Sequence, residues 1–142
     1  MALTLQTIMD GPRNAIVKVT GVLTAADQPS TEIFNPANFM IPPGALTPAP
    51  LVRLNHIDYS ISDQLEIQLS WGLAAGAGAG AILMPLAGRG RMSFDDWKGV
   101  PNNQTPTDGS IWLQSTGWAS GTQIFTIVLE LLKAGIINTG VQ

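Results

Sequence analysis

The sequence contains no cysteine, which excludes disulfide cross-links, zinc–thiolate centres and thiol nucleophiles while leaving the compartment open. Histidine is almost as scarce. His56 is the only one, so an imidazole-dependent metal site or a Ser–His–Asp triad would have to pass through it. It lies one position out of phase with its apolar neighbours Ile57 and Tyr59, on the polar side of its strand, and no catalytic role is expected of it. Charge is thin as well: seven basic and ten acidic side chains amount to 12% of 142 residues, about half of the ~25% usual in soluble domains. The formal net charge of −3 runs against a nucleic-acid partner, whose phosphates demand clustered Lys and Arg. No apolar run approaches the ~18 residues of a membrane helix. The first six residues lack the basic region and apolar core of a signal peptide. The expectation is a protein made and used without crossing a membrane by the secretory route, with neither membrane nor nucleic acid among its partners.

What the chain does have is alternation. Between Ile57 and Trp71 the apolar residues fall at 57, 59 and 61 and again at 65, 67, 69 and 71, on either side of the polar break Ser62, Asp63 and Gln64. A strand sends successive side chains to opposite faces, so each run buries one face, and the turn-prone break predicts a β-hairpin. Ala15 to Leu23 reads as another strand, in which Gly21 marks a bulge or a close approach. Thr31 to Phe34, Ala81 to Leu86 and Ile111 to Ser115 read as shorter strands, and Thr116 to Gly121 as a hairpin loop. Gln123 to Lys133 is expected to be the last and longest strand. Its apolar residues occupy both parities, which predicts burial on both faces, by a core on one side with a subunit as one candidate cover for the other; a helix over 123–134 is the competing reading, disfavoured by Phe, Thr, Ile and Val.

Irregular segments separate these runs. Five prolines between Ala25 and Pro50 forbid a long helix or a central strand there, leaving a long surface connection over 25–50. The Gly-Ala repeats of 72–81 predict a second loop, and the Pro-, Asn- and Thr-rich segment 99–109 a third. Seven or so strands with no convincing helix give an all-β, single-domain antiparallel β-sandwich over 15–134, of which the jelly roll is one form. Residues 1–14 would be an N-terminal arm or a short edge strand, and 135–142 a tail.

No phosphate cradle, metal cluster or nucleophile–base pair emerges, so neither a cofactor nor an enzyme is expected. Gly88 to Arg91 lacks the spacing and the following helix of a dinucleotide loop. Asp95 and Asp96 are adjacent and diverge on an extended chain, which suits a cap or turn better than paired-carboxylate chemistry. Arg89 and Arg91, set between glycines, suit either a clamp on a carboxylate of a neighbouring chain or plain solvation. Trp97, Trp112 and Trp118 suit an interface or a core equally. A weakly charged surface is more comfortable when covered, which points to work inside an oligomer or larger assembly. The predicted contact residues are Arg89, Arg91 and Trp97, with Leu3 and Leu5 of the arm.

Several segments together resemble small virion proteins of tailed bacteriophages. They are Asp10 to Val22, opening on a strand; the Ile57, Tyr59, Ser60, Leu69 and Trp71 stretch; the Gly88, Gly90 and Phe94 turn; Asp108 to Gly117; and the closing strand ending at Lys133. The resemblance spans residues 10 to 133. It implies a non-enzymatic capsid decoration (cement) protein, commonly a homotrimer, bound across junctions of the major capsid protein on the virion surface after synthesis in the host cytoplasm. A tail, neck or fibre-associated protein is the alternative within that class. A carbohydrate-binding β-sandwich, stacking sugars on Trp97, Trp112 and Trp118, is the alternative outside it.

Overall fold

The computed structural model describes residues 2–11, 13–39, 52–94, 99–104 and 106–133. Within them run nine strands: β1 (Ala2–Asp10), β2 (Asn14–Leu23), β3 (Thr31–Phe34), β4 (Val52–Ile61), β5 (Glu66–Gly72), β6 (Ala79–Leu86), β7 (Arg89–Ser93), β8 (Ile111–Thr116) and β9 (Gln123–Lys133). They form a five-stranded sheet in the order β1-β2-β9-β4-β7 and a four-stranded sheet in the order β3-β8-β5-β6. All pairings are antiparallel.

From β2 onward the pairing is nested. β2 pairs with β9, β3 with β8, β4 with β7 and β5 with β6, as if one long hairpin with its tip at β5 and β6 had been rolled into two layers. That wiring is the jelly roll, with β1 added at one edge of the larger sheet.

Most strands form where the sequence predicts them, β7 and the first half of β4 being unforeseen, but two connections differ from expectation. β4 and β5 belong to different sheets, so the Ile57–Trp71 stretch is a corner between layers and not a hairpin. The same holds for the link between β8 and β9. The two corners pack side by side: Ile124 N donates to Ser62 Oγ over 2.9 Å and Ser62 N to the Ile124 carbonyl over 2.9 Å. Gly117 makes this approach possible. Its φ is +97°, and a Cβ there would sit 2.2 Å from the Gln64 carbonyl oxygen.

The core lies between the sheets. Val17, Val19, Ile57, Ile127 and Leu129 face Ile67, Leu69, Trp71, Ile111 and Leu113, all buried. A register shift between Leu54 and His56 inserts Asn55, which lets both Leu54 and Ile57 reach the core despite their odd spacing. Gly21 marks a close approach, because the Phe125 ring occupies the space of its missing side chain, 2.3 Å from an ideal Cβ. Gly90 makes the same room for Tyr59, its cross-strand partner.

Other expectations are corrected at element level. β9 is buried in strict alternation, inward at Phe125, Ile127, Leu129, Leu131 and Lys133, so its second apolar parity faces outward. The Gly-Ala loop is shorter than 72–81: a 3-10 turn occupies Ala74–Gly76 and β6 resumes at Ala79. Residues 2–10 are no free arm; β1 pairs along its length with β2. Its far end is fastened at the base of the sandwich, where the buried Lys133 Nζ donates to Asp10 Oδ1 over 2.5 Å and to the Gly11 carbonyl over 2.7 Å. Residues 40–50 of the 25–50 connection, the 95–98 segment and the 135–142 tail lie outside the described residues.

Candidate interaction surface

The five-stranded sheet has an outward face, and its chemistry changes across it. On β7, Arg89 and Arg91 stand opposite Ser60 and Asp58 of β4. Arg91 Nε donates to Asp58 Oδ1 over 2.7 Å, and His56 Nε2 lies 3.4 Å from the other carboxylate oxygen. The Arg91 guanidinium beside Asp58 holds its carboxyl below the usual carboxylate range; partial burial opposes this, and His56 adds to it. Arg91 is 73% exposed and Asp58 38%, a geometry in which an ion pair contributes under about 1 kcal/mol. Arg91 is therefore already engaged within its own sheet. Arg89 forms no ion pair among the described residues.

Toward β1 the face loses charge. The register places Thr4, Thr20, Thr126 and Ser60 in one row across four strands. Beside it Val22 and Ile124 form a directly opposed pair, 36% and 54% exposed. Ile8 and Met9, also exposed, lie at the β1 bulge near Ile16. Over β2 the outward positions hold one charge, Lys18. Most of the large apolar side chains left exposed thus gather on β1, β2 and β9, with Ile82 apart on the other sheet.

The predicted contact residues are consequently not one cluster. Arg89 and Arg91 sit at one edge of the five-stranded sheet, Leu3 and Leu5 at the other, and Trp97 lies outside the described residues. Leu3 and Leu5 align with Gly21 and Val19, on the inner side of the sheet. There Leu5 borders an open groove of about 220 Å³ between β1 and β3, lined with Val17, Ile33, Phe34 and Phe39. A second hollow of about 420 Å³ lies at the paired corners, among Ser60, Ser62, Gln64, Arg89, Gln123 and Thr126. It is polar and shallow. Of the other two tryptophans, Trp112 Nε1 donates to Ser110 Oγ over 3.0 Å and Trp118 Nε1 to the Gly121 carbonyl over 3.0 Å. Trp118 also packs against the core.

Val22 is not among the residues the sequence singles out, whereas Ile124 belongs to the second apolar parity of β9, for which burial is expected. Each is a β-branched residue out of phase with the buried run of its own strand, Ala15, Val17 and Val19 in one case and Phe125, Ile127 and Leu129 in the other. An apolar residue on the outward parity marks either a second buried face or an interface. Among the described residues no group of three or more His, Asp or Glu could hold a metal ion, and no helix is long and apolar enough to cross a membrane. The sequence matches no protein-family model and no curated protein.

Proposed function

We propose that this chain is a non-enzymatic structural protein of a virus particle, a decoration (cement) protein that binds the major capsid protein shell of a tailed bacteriophage in many copies. The observation that carries the reading is the outward face of the five-stranded sheet, where exposed Val22 and Ile124 stand together beside a row of uncharged hydroxyls. A solvated sheet face ordinarily alternates to charged and polar side chains, and contiguous apolar exposure indicates a surface meant to be covered. The low overall charge, 12% of the residues, supports the same reading. Jelly rolls serve in viral capsid proteins and in lectins alike, so the fold by itself selects neither.

The test is to mix the purified protein with emptied heads of its phage. Saturable binding in hundreds of copies is expected. Replacing the opposed apolar pair with Val22→Lys and Ile124→Glu should abolish loading. Arg89→Ala should weaken it and Arg91→Ala should have the smaller effect, because Arg91 is held by Asp58. A protein that ignores heads, or that loads unchanged after the double substitution, overturns the proposal.

A further inference from the structure

A sheet edge presents unpaired N–H and C=O groups that template pairing with another chain, and proteins blunt such edges with short strands, prolines, charges and irregularities. Four edge strands bound the two sheets here: β1 and β7 in one, β3 and β6 in the other. Three are blunted. β3 has four residues and lies between Pro29 and Pro36. β6 contains Pro85 and meets β5 with two register shifts. β7 has five residues and carries Arg89 and Arg91. β1 has none of these defences along its first half: it runs for nine residues without proline, has no charge before Asp10, and keeps a regular register from Ala2 to Thr7. No described strand pairs with its outer side.

We propose that the free edge of β1 pairs antiparallel with β1 of a second copy of this chain, about a two-fold axis at Thr4. The two five-stranded sheets would then continue into one. The sequence of the strand argues for a copy of itself as the occupant. A two-fold pairing brings each side chain near its own equivalent, which penalises any charge close to the axis; β1 is neutral from Ala2 to Met9, whereas β7 would oppose arginines to arginines. With Thr4 on the axis, Leu3 stands opposite Leu5 of the partner subunit and Leu5 opposite Leu3 of the partner subunit. This register covers the Leu5 side chain, which is 48% exposed in the single chain. The pairing also ends at Gln6, before the irregularity between Thr7 and Met9.

The pairing does not depend on the capsid reading, because it is a property of the isolated protein. It differs from the homotrimer that the sequence resemblance implies, and mass separates the two. Sedimentation equilibrium of the full chain should give twice its 15.0 kDa. Thr4→Lys and Thr4→Glu should each be monomeric with an unchanged circular dichroism spectrum, since Thr4 is exposed. An equimolar mixture of the two variants should recover the dimer, as opposite charges meet across the axis. A wild-type monomer or trimer overturns the proposal. So does a dimer that survives either substitution alone, or a mixture that stays monomeric.

Discussion

Asp58 shows how a single side chain can link the chemistry of the β4–β7 edge to pH. Its carboxyl is held below its ordinary value of 3.8 chiefly by the hydrogen bond from Arg91. A depressed folded-state pKa stabilises the protein above the unfolded value, and the increment is lost as pH falls through the folded one. Asp58→Asn should therefore lower stability near neutral pH by under about 1 kcal/mol for so exposed a pair, with a slightly lower melting temperature. The gap between wild type and variant should close below about pH 4. Thermal melts across that range test it; a gap that is constant with pH would show that the ionised form of Asp58 contributes nothing. A larger effect is expected at Gly117. An alanine there must adopt φ near +97° and displace the Gln64 carbonyl, which belongs to backbone and cannot swing aside. Gly117→Ala should cost about 2 kcal/mol or more. Gly21→Ala should cost less, roughly 1–3 kcal/mol, because its obstacle is the Phe125 ring and not main chain.

At the scale of elements, Lys133 decides whether β1 behaves as a strand or as an arm. Its ammonium reaches from the end of β9 to Asp10 and Gly11, and its side chain is 2% exposed. Lys133→Met keeps the buried stem and removes the charge-assisted hydrogen bonds, at a cost of roughly 2 kcal/mol. Hydrogen exchange should then quicken in β1 more than in β2, β4 or β9. Uniform acceleration would mean that the bridge supports the whole sandwich and not this strand. The contrast between strand and connection also marks how far the sequence could be read. Alternation located β2 and β5 because each buries one face, and a period of two survives any choice of partner. It could not say that Ile61 and Leu65 lie in different layers, since Ser62, Asp63 and Gln64 suit a corner as well as a hairpin. In a jelly roll the earliest strand pairs with the last, so β2 finds β9 across more than a hundred residues. Nothing local encodes that. β7 was hidden for another reason: Arg89, Gly90 and Arg91 look like loop residues, and Gly90 is there to admit Tyr59.

For the molecule as a whole, the two faces of the five-stranded sheet differ, the inner one buried and the outer one exposed at Val22 and Ile124, and on the proposed function substitutions should divide accordingly. The sequence showed the inner face through Val17, Val19, Ile127 and Leu129, and its low charge raised the expectation of a covered surface. The contact residues it suggests, Arg89, Arg91, Leu3 and Leu5, are conspicuous as charges and leucines, and the structure sets the two pairs at opposite edges of the five-stranded sheet. Leu129→Ala removes volume from a fully buried site and should cost about 2–5 kcal/mol. The double variant Val22→Lys and Ile124→Glu changes two exposed positions that face each other, so its opposite charges attract and the fold should stay within about 0.5 kcal/mol of wild type. Its mass in solution should also be unchanged, since neither residue lies on the β1 edge. What it should lose is attachment to capsids. Melting temperature, sedimentation and head loading on one preparation separate the three properties. A variant that melts early would assign Val22 and Ile124 to the fold. One that loses mass would assign them to self-association. One that keeps both and fails to load would place the capsid contact on the outer sheet face, with the core and the β1 edge left intact beneath and beside it.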